Sequence, residues 1–100
     1  MLVISYDITD DLMRSRFARM LTKNGAVRLQ YSVYEVINTK RVTDTLLLKI
    51  ESYAKHFKFS DSVIIFDVDK DNMIKYGNAI HRDKDILNYR SKKYLHLIIQ

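Results

Sequence analysis

Three carboxylates fall close together near the start of the chain, at Asp7, Asp10 and Asp11. Four bases then follow without an intervening acid: Arg14, Arg16, Arg19 and Lys23. Carboxylates in such a group either hold a hard cation or cap a helix. A run of bases on one helix either faces solvent or neutralises phosphates. Asp10 and Asp11 have the simpler explanation. They stand where a helix pattern begins, Thr9 and Asp10 are both good N-cap residues, and acids in a first turn suit the helix dipole. Asp7 precedes the cap, where neither role asks for a carboxylate. An acid carried out of a sheet edge at a strand-to-helix turn is well placed for a metal or a partner's amide.

Other chemistries lack their residues. There is no cysteine and no glycine-rich phosphate loop. His56, His81 and His96 lie in three separate segments without metal-ligand spacing. Asp67, Asp69 and Asp71 imitate the start of a calcium loop, but Asn72 and Asn78 stand where that loop needs Gly and Glu.

The elements that must position these residues follow from periodicity. Leu2, Ile4 and Tyr6 alternate with Val3, Ser5 and Asp7, which predicts a strand ending at Asp7. Met13, Phe17, Met20 and Leu21 form one stripe of a helix expected over Asp11 to Asn24. Arg16, Arg19 and Lys23 cluster opposite that stripe, and Arg14 lies near its edge. Gly25 is the natural left-handed residue after the helix. Val27 to Ile37 reads as strand but is long for one. No Gly or Asn marks a hairpin near Tyr31 and Ser32, so one bent strand and two short ones both remain open. Leu46, Ile50, Tyr53, Ala54 and Phe57 predict a second amphipathic helix from about Arg41 to Phe57, capped by Thr39 or Thr43. Ser62 to Val68 is a buried strand, and Met73 to Tyr76 a short one closed by Gly77. Ala79 to Lys93 is charged and weakly patterned, and Tyr94 to Ile99 reads as a terminal strand suited to pairing with a neighbouring sheet edge.

The order is that of an α+β, ferredoxin-like βαββαβ sandwich with extra C-terminal strands. Residues 1–78 are expected to form that domain, and residues 79–100 a C-terminal extension that binds a partner or a second copy. A chain of 100 residues supports one core without disulfides. No apolar run approaches a membrane span, so no membrane partner is expected and the reading is cytoplasmic. A net charge of +5 leans toward a polyanionic partner.

Val3 to Ile8, then Asp10 and Asp11, then Arg14 to Phe17 resemble the opening of the small CRISPR adaptation family, Cas-two. Gly25 followed by Val27 to Glu35 resembles its second signature, and the similarity continues through Asp61 to Phe66. The resemblance covers most of positions 2 to 77, in the right order. It implies a ferredoxin-like fold bending at Tyr31 and Ser32, and a domain-swapped homodimer whose C-terminal strands cross to the partner's sheet. It implies a spacer-acquisition role: supporting duplex DNA between dimers of the larger integrase subunit, Cas-one. Some members are described as metal-dependent endonucleases. The family's metal-holding and catalytic acid then falls on Asp7, with Mg2+ or another divalent cation as cofactor. Its basic first helix falls on Arg14 and Arg16, with Arg19 beside them, as the nucleic-acid-binding residues. The alternative is a stand-alone endoribonuclease toxin of the VapD type, which is similar to this family.

Overall fold

The computed structural model describes residues 1–77. Its elements run β1 (Leu2–Asp7), α1 (Asp11–Lys23), β2 (Val27–Gln30), β3 (Val33–Val36), α2 (Lys40–Ala54), β4 (Ser62–Asp67) and β5 (Asn72–Gly77). The five strands form one antiparallel sheet in the order β2-β3-β1-β4-β5. The class is α+β, and the arrangement is compatible with a ferredoxin-like fold. The extension at 79–100, with its expected terminal strand from Tyr94 to Ile99, lies outside the described residues. No described helix is long and apolar enough to cross a membrane.

Strand alternation sends Leu2, Ile4 and Tyr6 of β1, Tyr34 and Val36 of β3, and Val63 and Ile65 of β4 to one side of the sheet. There they meet Phe17, Met20 and Leu21 of α1 and Leu46 and Ile50 of α2. Both amphipathic stripes are therefore spent on the same sheet face. Tyr53 and Phe57, expected on the α2 stripe, pack at the margin of this cluster and are only partly buried. Edge-on ring contacts carry the packing across layers: Tyr6 to Phe17 at 5.0 Å between centroids, and Phe17 to Tyr53 at 5.4 Å. Removing a ring as central as Phe17 should cost about 3–5 kcal/mol. The opposite sheet face is apolar too, with Val3, Val33, Ile64 and Phe66 buried and Leu29 packed against them.

The stretch from Val27 to Ile37 is two strands. Tyr31 and Ser32 make the turn, with Ser32 in the left-handed region at φ 69°. A register shift between Arg28 and Gln30 marks a bulge at Leu29. The turn has no glycine or asparagine because its hold is tertiary: the Ser32 carbonyl accepts the Tyr6 amide at 3.1 Å.

Helix α1 starts at an Asp10 cap whose carboxylate accepts the Met13 amide at 2.8 Å. It stops in a Schellman arrangement: the Gly25 amide bonds the Thr22 carbonyl and the Ala26 amide bonds the Leu21 carbonyl. Gly25, at φ 90°, is required by that conformation and not by crowding. Thr39 caps α2, its hydroxyl accepting the Val42 amide at 3.2 Å.

Candidate functional site

Asp7 is the last residue of β1, opposite Ser62 of β4, and it is exposed. Among the described residues its carboxylate accepts no hydrogen bond and forms no ion pair. Strand pairing therefore holds the Asp7 backbone in register while its two oxygens remain free for a ligand. The phenol of Tyr6 beside it is buried. Burial, then the neighbouring Tyr34 hydroxyl, push its pKa up to about 12. Tyr6 is thus a neutral core residue at working pH and no proton acceptor for chemistry at Asp7.

One residue before β4, Asp61 takes the opposite role. It is fully buried. Its carboxylate accepts the Thr9 amide at 2.9 Å, the Thr9 hydroxyl at 2.7 Å and the Lys58 amide at 2.7 Å. The Asp61 amide returns a bond of 3.0 Å to the Lys58 carbonyl, closing that turn. Burial by itself pushes the carboxyl upward. The hydrogen bonds from Thr9 and Lys58, with the Lys58 charge, outweigh it and hold the pKa below its ordinary value. Thr9, one of two cap candidates from the sequence, thus ties the β1–α1 turn to Asp61 and leaves capping to Asp10. Gly77 completes the packing. Its φ is 79°, and a Cβ there would lie 2.3 Å from the Asp61 carbonyl oxygen.

The three arginines do not form one set. Arg14 turns back over the start of its own helix and donates to the Ile8 carbonyl at 3.1 Å and the Thr9 carbonyl at 3.4 Å. It also pairs with Asp11. The hydrogen bond that the guanidinium donates to Asp11 holds it above its ordinary pKa. Arg16 and Arg19 lie farther along α1, exposed, with no ion pair among the described residues. They share a surface depression with Lys23, Asn24 and, from α2, Lys49 and Tyr53. Asp61 and Lys49 carried no local signal of these roles. The first is joined to Thr9 across 52 positions, and the second reads as an ordinary charge on a solvent-facing helix.

Among the described residues, a metal at Asp7 would have one carboxylate ligand. No group of three or more His, Asp or Glu side chains converges among the described residues. A hard cation such as Mg2+ takes one or two carboxylates and completes its octahedron with waters or phosphate oxygens. An exposed carboxylate at a paired strand end suits that chemistry.

The molecule is an α+β domain with a free acid at the end of its first strand and a basic first helix. Residues 1–75 match the family CRISPR associated protein Cas2, and the chain belongs to that family. No curated protein matches it. Membership gives the chain a CRISPR-associated role.

Proposed function

We propose that the chain is a duplex-DNA-binding subunit of CRISPR adaptation. It acts as a homodimer that presents α1 to the phosphate backbone and serves as a scaffold for the larger integrase subunit, to which the insertion chemistry belongs. The observation that carries this reading is the outer side of α1. Arg16, Arg19 and Lys23 stand exposed there, with no acid and no ion pair among the described residues. Contacts of this kind bind through counterion release and are indifferent to sequence.

A homodimer also suits Asp7 and the sheet edges. Two copies bring two free carboxylates where one chain brings one. Among the described residues, β2 and β5 each pair on one side only, and open edges invite a neighbour. In this reading Asp7 holds Mg2+ or another divalent cation. When bound, such a cation would lower the pKa of a water ligand, so that the hydroxide left on loss of its proton could attack a phosphodiester. Asp7 contributes the anionic oxygens and their fixed position, and Asn at that place is a far weaker ligand for a hard cation.

Sedimentation at micromolar concentration should give twice the chain mass; a clean monomer counts against the reading. Duplex DNA binding should weaken steeply with salt, and removing Arg16 and Arg19 together should reduce the slope by about two units, one for each phosphate contact. RNA cleavage by the isolated chain, without duplex binding, would favour the toxin alternative instead.

A further inference from the structure

We propose that the depression between α1 and α2 is a phosphate cleft that takes consecutive phosphates of one nucleic-acid strand, with Lys49 of α2 as its second wall. The proposal rests on the DNA-binding reading above and extends it from one helix to two. The cleft has a volume of about 250 Å3. Arg16, Arg19 and Lys23 line it from α1, Lys49 and Tyr53 from α2, and Asn24 from the turn after α1. It holds four cations and no acid. None of the four forms an ion pair or side-chain hydrogen bond among the described residues.

Structure alone does not call for this arrangement. Lys23 is accounted for by the C-terminal dipole of α1, where a cation is stabilising. Arg16, Arg19 and Lys49 lie in helix interiors, where no dipole end asks for them. Like charges brought to one depression repel, at a cost that no carboxylate among its described lining residues offsets. Anionic oxygens would remove it.

The charge selects the ligand. Four cations with no acid among the described lining residues suit phosphate groups. The Tyr53 ring is fixed edge-on against Phe17, and its hydroxyl has no partner among the described residues. Tyr53 lines the depression, where its hydroxyl is available to donate to a phosphate oxygen.

Arg14 is the internal control. It sits on the same helix, but its guanidinium is committed to Asp11 and to the carbonyls of Ile8 and Thr9. The cleft therefore requires that Lys49, one helix away, matter more to DNA binding than Arg14.

The test uses the full chain and two probes. In the first, duplex DNA affinity is measured across salt for wild type, Lys49→Ala and Arg14→Ala, after melts confirm that each variant folds. Lys49→Ala should lower the salt slope by about one unit, and by more than Arg14→Ala does. In the second, inorganic pyrophosphate is titrated into labelled protein and backbone amides are followed by NMR. The amides of Asn24, Lys49 and Tyr53 should shift, and the shifts should vanish in an Arg19→Ala/Lys49→Ala double variant. An unchanged slope in Lys49→Ala overturns the cleft while leaving the α1 reading intact. Pyrophosphate shifts in a wild type that binds no duplex overturn the nucleic-acid assignment in favour of a free diphosphate ligand, and sink the proposed function separately.

Discussion

Asp7 and Asp61 lie at the same end of the sheet, and Asp7 pairs with the residue that follows Asp61. They have the same side chain and opposite surroundings. Asp61 is buried and receives three hydrogen bonds, two of them from Thr9 in the turn that leads into α1. Asp7 is exposed and receives none among the described residues. A carboxylate at this corner is expected to steady the amides ahead of the helix, and that work is done by Asp61 from across the sheet. A buried carboxylate survives only when fully hydrogen-bonded, and Asp61 meets that condition. Among the described residues Asp7 is held by its backbone alone, so they leave its oxygens unspent. The contrast separates an acid that builds the corner from one that the corner presents.

The largest effect should come from Asp61→Ala. It leaves two amides and a hydroxyl without their acceptor in a closed environment, which should cost about 3 kcal/mol or more. For a domain of this size that lowers the melting temperature by on the order of 15 °C. A loss of only a degree or two would break the comparison.

The same residue sets an acid limb. Its folded pKa lies below the unfolded one, so the charged form is preferred in the folded state. The resulting stability is complete above the unfolded value of about 3.9 and drains away as the pH falls below it. Asp61→Asn should be less stable than wild type at neutral pH, and the gap should narrow toward pH 3. A constant gap would show that the carboxylate's charge is not what stabilises the corner.

A smaller loss, about 1 kcal/mol, is expected for Thr9→Val, which removes the hydroxyl donor but keeps the amide bond. The smallest is Asp7→Asn, which should stay within about 0.5 kcal/mol of wild type in a thermal melt. That variant should nonetheless abolish any divalent-dependent cleavage that wild type shows. A melt penalty as large as that of Thr9→Val, with cleavage retained, would make Asp7 a second structural acid.

Much of this molecule was legible along the chain. The alternation from Leu2 to Asp7 carries its strand, because period-2 burial is local. The stripe of Phe17, Met20 and Leu21 carries α1, and Asn24 with Gly25 carries its end, because a left-handed residue after a helix is a local steric demand. Asp7 was legible as a candidate by elimination, since the capping residues beside it were already accounted for. The hairpin at Tyr31 and Ser32 was not. A serine at positive φ gives no turn signal, and the bond that secures it comes from Tyr6 in another strand.

What the sequence by itself determined is therefore β1, the two helices, β4 and β5, the acid at the end of β1 and the basic character of α1, each the product of interactions spanning a few residues. Tertiary structure alone decided which charges are available. It turned Arg14 inward onto the loop and left Arg16 and Arg19 outward. It brought Lys49 to them from another helix, and it buried Asp61 under Thr9 while leaving Asp7 free. The physical reason is that availability depends on hydrogen-bond partners and burial. Those are supplied by residues dozens of positions away, and no local pattern encodes them.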